Sequence, residues 1–236
     1  MESKPAVPLK TPAPLFRLLL LLSATTGMLD AASILCLGKV FTANMTGNVV
    51  FLAFSAAGAP GFSPLPYLTA LGAFIVGATI AGRIWRMPGS HMLRHWLIVA
   101  AVIETVLLLL AGITAIGLQG YGSAFDWRSC SILALTSGAM GFRNAIVRQL
   151  KVPDLTTTVL TLTITGLASD SPLAAGSAPN LPARLGAVGM IFGGAVIGAL
   201  LVLHTGLATT LLVTAGLVLC GTLVFARHPQ MAEMQR

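Results

Sequence analysis

Charge is scarce in this chain of 236 residues: 9% are Asp, Glu, Lys or Arg, and only 7 are acidic. Soluble domains carry about 25% charged residues, so a water-solvated globule is excluded. Cysteine is nearly absent. Cys36, Cys130 and Cys220 are odd in number, scattered, and show no CxxC spacing, so they form neither a disulfide framework nor a thiolate metal site. They read as small apolar helix residues. Catalytic signatures are missing as well: there is no HExxH, GxSxG, GxGxxG or P-loop. His91, His95, His204 and His228 fall at or beyond the ends of apolar runs, and none stands at catalytic or ligand spacing from a Cys, Ser or carboxylate. The expectation is a protein that is not an enzyme and takes no metal or cofactor. Without a soluble domain, it also cannot hydrolyse ATP to drive transport.

What the chain has in abundance is apolar length. Hydrophobic residues make up 56%, and the mean hydropathy is +0.88. A helix needs about 20 apolar residues to cross a bilayer. Six runs qualify: Leu18 to Leu37, Leu65 to Ala81, Trp96 to Leu118, Ser131 to Leu150, Leu185 to Leu203 and Leu207 to Phe225. Two shorter ones cover Val49 to Gly58 and Leu155 to Ala168. The partner these imply is the lipid bilayer. The net charge of +7 does not argue for nucleic acid, because the cations sit beside apolar runs and form no basic face. The leucine run after Lys4, Lys10 and Arg17 continues too far for a cleavable signal and has an internal counterpart, so it reads as the first span.

That counterpart belongs to an internal repeat. Gly27 to Asn48 (G-M-L-D-A-A, then T-A-N-M-T-G-N) matches Gly141 to Thr163 (G-F-R-N-A-I, then T-T-T-V-L-T-L-T). Asp30 falls on Asn144 at an offset of 114, and Thr46 on Thr161 at 115. Gly77 and Gly82 fall on Gly193 and Gly198 at 116, and these glycines read as helix-packing residues. In each copy a polar, helix-breaking cluster interrupts an apolar stretch, which is the pattern of repeat-built transporters with a site at broken helices.

Charge placement sets the expected topology. Eight crossings would put both the Arg83–His95 loop and Arg148 with Lys151 outside, against the positive-inside rule. Six full spans plus two partial, re-entrant half-helices put them inside with both termini. Three full spans per half then make the repeats inverted. The expected fold is an all-α polytopic membrane protein of the inner membrane. It divides into a cytoplasmic tail (1–14), repeat 1 (15–118), a periplasmic linker (119–128), repeat 2 (129–226) and a cytoplasmic tail (227–236).

The breaks supply the candidate solute contacts: Asn44, Thr46, Gly47 and Asn48 in the first half, and Asn144, Thr157, Thr158 and Thr161 in the second. Pro153 marks a helix start with Asp154 and Thr156 as cap candidates. Helix starts inside a membrane offer free N–H groups and a positive dipole end, suited to an anionic or carbonyl-bearing ligand. The bland reading is that these groups only cap helices and bond across interfaces. Asp30, Glu104 and Arg143 are ionisable residues deep in apolar runs, where each costs about 2.5 kcal/mol or more. Asp30 or Glu104 is a candidate for proton coupling, and an Asp30–Arg143 ion pair is expected across the repeat axis. The function this implies is secondary transport of a small polar or anionic solute. A membrane scaffold or assembly protein is the alternative, and an intramembrane enzyme a further one. A homo-oligomer is left open, since small-residue faces serve packing within a chain equally well.

The D-A-A-S…F-T-A-N-M-T-G-N block, with G-F-R-N-A-I-V-R and P-D-L-T-T-T-V-L-T-L-T-I-T-G-L-A-S-D, resembles the YoaK family of bacterial membrane proteins, also known as DUF1275. The resemblance runs from Leu15 to Ala226, and Asn44 to Asn48 is its most specific motif. It implies six spans and small-molecule transport. Where the family often has Gln before the Asn-Ala pair, this chain has Arg143.

Overall fold

The computed structural model describes residues 13–86, 93–118, 125–149, 160–177 and 180–228. They fold into eight α-helices: α1 Ala13–Cys36, α2 Met45–Ala56, α3 Pro64–Trp85, α4 Leu93–Thr114, α5 Trp127–Gln149, α6 Leu160–Ser169, α7 Leu181–Thr205 and α8 Leu207–Ala226. Six have the length and hydropathy of membrane spans. At 12 and 10 residues, α2 and α6 are about 18 and 15 Å long, short of the roughly 30 Å hydrocarbon core. The six-plus-two expectation therefore holds among the described residues. α1 begins at Ala13, so Asp30 stands about three-quarters of the way along it.

Burial runs opposite to that of a water-soluble bundle. Ile75, Val76, Ile113, Leu162, Phe192 and Val224 lie outward, while Ser23, Thr25, Thr136, Thr210 and Thr214 are buried. The hydroxyls of Ser23, Thr136 and Thr214 bond to carbonyls one turn back, so these buried groups are satisfied within their own helices.

The repeat organises the packing. α1 lies along α7, and α3 along α5 in the same way; α4 and α8 meet at the centre. The two crossings are copies of each other. A Cβ on Gly27 would strike the Ile191 carbonyl, and one on Gly141 the Phe74 carbonyl; Gly194 sits on Ala24 as Gly77 sits on Gly138. Only glycine permits backbones this close. The correspondence is 114 between α1 and α5, as expected, but 117 between α3 and α7: Ala70 matches Ala187, Gly77 matches Gly194 and Ala81 matches Gly198, all buried. The expected register of 116 is thus corrected by one residue. Gly82 and Gly193, on which that register depended, face open space.

Helix directions follow from the contacts. Ala24 meets Gly194 and Met28 meets Gly198, so α1 and α7 are parallel. Glu104 meets Arg143 and Thr114 meets Arg128, so α4 and α5 are antiparallel. Gly112 meets Leu212, while Leu97 and Ala101 cluster with Val218, so α4 and α8 are antiparallel. α7 turns into α8 at Gly206, whose φ of 90° reverses the chain. α1 and α5 therefore run in opposite directions, and the repeats are inverted. The start of α1 and the end of α8 share one face, called here the terminal face.

Candidate functional site

α1 stops at Cys36, and Gly38 and Lys39, at φ 93° and 60°, turn the chain back into the bundle. Residues 40–43 descend without helix, and Val40, Thr42 and Ala43 are buried. Backbone at membrane depth must find internal partners. Here side chains supply them. Ser33 Oγ donates to the Val40 carbonyl at 2.7 Å. Asn48 accepts from Phe41 N–H at 2.9 Å and donates to the Phe41 carbonyl at 2.8 Å. Asp30 Oδ1 accepts from Thr42 N–H, Thr42 Oγ1 and Ala43 N–H at 2.9, 2.9 and 3.0 Å. α2 then starts after Asn44, whose side chain makes no capping bond.

Two cavities flank this break. One, of about 670 Å³, lies between α1, α6 and α7 and is lined by Thr26, Asp30, Phe41, Asn44, Thr161 and Phe192 among others. It extends to Leu35, one residue from the α1 end opposite the terminal face. The other, of about 1010 Å³, lies between α3 and α5 and includes Asn44, Thr46, Phe74, Asn144, Arg86 and Arg148. It reaches the terminal face, where α3 and α5 end. The walls are repeat mates: Gly27, Asp30 and Ala31 in the first correspond to Gly141, Asn144 and Ala145 in the second, and Ile191 and Ala195 to Phe74 and Ala78. Ala43 and Asn44 line both.

The candidate residues therefore separate. Asn44, Thr46, Asn144 and Thr161 line cavities, with Asn44 common to the two. Asn48 is buried, with its amide taken up by Phe41, and lines neither. Gly47 lets the Phe41 ring lie against α2, since a Cβ there would meet that ring. Thr157, Thr158, Asp154, Thr156 and Pro153 lie outside the described residues. Sequence reasoning missed the aromatic lining, Phe41, Phe74 and Phe192, because aromatics in a membrane chain carry no signal of their own.

The expected Asp30–Arg143 pair is corrected. Arg143 forms a two-point ion pair with Glu104: Nε donates to Oε2 at 2.8 Å and Nη2 donates to Oε1. Its Nη1 donates to the Leu22 carbonyl and to Thr26 Oγ1, each at 3.0 Å. Both charged side chains are about 97% buried (3% and 2% exposed). Asp30 is on the same face of α1 as Thr26, but its carboxylate turns to the descending segment, out of the guanidinium's reach. Outside the spans, Asp170 bonds Arg184 Nη1 at 2.6 Å, and that hydrogen bond holds its carboxyl below the ordinary carboxylate range. The Ser129 N–H does the same for Asp126 at the start of α5.

Six apolar spans, two half-helices and an inverted repeat define a polytopic α-helical membrane protein with a break at membrane depth. The chain belongs to the DUF1275 family, described as a protein of unknown function, whose model matches residues 18–224. It is 33% identical over 153 residues to the UPF0700 transmembrane protein YoaK of Bacillus subtilis (strain 168). That match covers 65% of this chain and 65% of the relative, so the chain spans just under two thirds of the relative's length. No solved structure matches it.

Proposed function

We propose that this chain is a secondary transporter of a small solute, working by alternating access about the break between α1 and α2. One observation carries the reading: two cavities related by the inverted repeat extend toward opposite faces and share Ala43 and Asn44. In an inverted repeat, exchanging the conformations of the halves exchanges which cavity is open, so access alternates around a fixed site. The mobile parts in this mechanism are α2 and α6. Asn48 is the buried residue of α2 and Thr163 that of α6, and each half-helix packs on one neighbouring span, α3 or α7. Arg17, Arg83, Arg86, Arg148 and Arg227 lie toward the terminal face, which supports a cytoplasmic location for both termini in a bacterial inner membrane. A scaffold would have no use for paired cavities, and an enzyme would need a second reactive group beside Asp30.

The test is side-specific labelling in a variant whose native cysteines are replaced. Ala78→Cys reports on the terminal-face cavity and Ala199→Cys on the other. Impermeant thiol reagents should reach Ala78→Cys from the cytoplasm and Ala199→Cys from outside, and reaction at one should slow reaction at the other. Labelling rates that do not depend on each other overturn alternating access. Labelling of Ala78→Cys from outside overturns the orientation.

A further inference from the structure

The charge balance of the membrane interior is uneven between the two cavities. Of the three ionisable groups deep in the spans, Glu104 and Arg143 neutralise each other. Asp30 is left. Its Oδ1 is occupied by three donors from the descending segment, while Oδ2 has no partner among the described residues and the residue borders the 670 Å³ cavity. It is the one charged side chain among the described residues that line that cavity; the rest are Thr26, Asn44 and Thr161 with aliphatic groups and the rings of Phe41 and Phe192. In the mate cavity the corresponding position is Asn144.

A carboxylate in a low-dielectric, largely apolar pocket attracts a positive charge that brings its own apolar body. Aromatic faces add to this, because a ring quadrupole draws organic cations. A metal ion is a poor fit: a hard cation takes several oxygen ligands, and the described residues hold no cluster of acidic, His or Cys side chains for one. An anion is disfavoured by the same carboxylate. Arg86 and Arg148, at the mouth of the other cavity, are exposed residues at helix ends, where water screens them. The volume falls in the range of small-molecule sites, about 300–1,000 Å³.

We infer that this cavity binds a monovalent organic cation with an apolar body, its positive end on Asp30 Oδ2 and its body against Phe41 and Phe192. This rests on the transport reading and names its substrate class. It replaces the polar or anionic solute expected from the helix starts alone.

The experiment compares two ions of the same shape and opposite sign, tetraphenylphosphonium and tetraphenylborate. Each is titrated into the purified full chain in a non-ionic detergent by equilibrium dialysis, with empty micelles as blank. Saturable, one-site binding of the phosphonium is expected, with none of the borate. Asp30→Asn should weaken phosphonium binding by roughly tenfold or more, while its remaining oxygen still accepts from Thr42 and Ala43. Ala199→Trp, which fills the cavity wall and leaves Asp30 in place, should weaken it too, so a failure of Asp30→Asn to fold leaves a second arm. Equal binding of the borate, unchanged binding in both variants, or no saturable phosphonium binding overturns the inference. The cysteine-labelling test uses no ligand. Reciprocal labelling with no cation binding sinks the substrate class alone, and independent labelling sinks the transport reading beneath it.

Discussion

The Glu104–Arg143 pair makes a quantitative prediction that separates structural from functional charge. Arg143 uses four of its five N–H groups: two on Glu104, one on the Leu22 carbonyl and one on Thr26. Replacing Glu104 by Gln leaves a guanidinium almost fully buried and uncompensated. Breaking a buried pair in this way costs about 3–5 kcal/mol. Against a typical stability of about 5–15 kcal/mol, that is a large loss. Removing both charges is different, because a well-packed apolar pair is often neutral or more stable by about 1–4 kcal/mol. The variants Glu104→Gln, Arg143→Gln, the double Gln variant and Glu104→Leu/Arg143→Met form the series. Unfolding in detergent, followed by far-UV circular dichroism against denaturant, gives each stability. Both single variants should lose about 3 kcal/mol or more, and Leu/Met should recover most of it. Single losses below about 1 kcal/mol, or strict additivity in the Gln cycle, would refute the argument. The Leu/Met variant should also keep phosphonium binding, since no charge of the pair borders that cavity. Loss of binding there would return Glu104 to the candidate coupling groups.

The close approaches give a second test. Gly27→Val and Gly141→Val should each cost about 1–3 kcal/mol in thermal unfolding by forcing apart α1 from α7 and α5 from α3. Gly82→Ala and Gly193→Ala should be silent, and the reverse pattern would restore the 116 register. Asn48→Ala removes the partner of the part-buried N–H and carbonyl of Phe41, at about 1 kcal/mol each, and should lower the melting temperature more than Asn44→Ala does. The Asp170–Arg184 bond ties the end of α6 to α7. Because the Asp170 carboxyl is held below its ordinary value of 3.8, the tie persists at neutral pH and is lost as pH falls through the depressed value. Amide exchange in α6 should accelerate only in that acid range, and Asp170→Asn should remove the pH dependence.

Much of the fold was legible because the bilayer restricts it so strongly. Each apolar run needs one length and one periodicity, and all six spans fall within a few residues of their sequence boundaries. The half-helices were legible from charge, since only partial crossings put Arg83 and Arg148 on the same side as Arg17 and Arg227. The register of α3 against α7 was not. Glycine identity pointed to Gly82 and Gly193, but close packing asks only for a small residue, and Ala81 fills that role. The ion pair was misread for a related reason. Sequence adjacency in the repeat set Asp30 near Arg143, whereas the partner of a buried charge depends on which helices flank it. α5 packs on α4 as well as on α3, and Glu104 lies on that side.

For the site, residue type marks which groups are costly at membrane depth but not which are already occupied. The descending segment 40–43 presents N–H and C=O groups that lipid cannot satisfy. Ser33, Asn48 and half of the Asp30 carboxylate satisfy them, so these conspicuous polar groups serve the backbone first. Subtracting that use leaves Asn44, Thr46 and Thr161 as cavity-lining residues, and Asp30 with Oδ2 not taken up by the descending segment. The described cavity walls are repeat mates, but their chemistry is not the same: one carries a carboxylate where the other carries Asn144. On the proposed route, a solute moving between the cavities would leave one formal charge behind on crossing Asn44. A cation would therefore dwell on the Asp30 side, and Asp30→Asn should make the two directions of its transport more nearly equal. Proteoliposomes with opposite tetraphenylphosphonium gradients measure that ratio, and an unchanged ratio would remove Asp30 from the route.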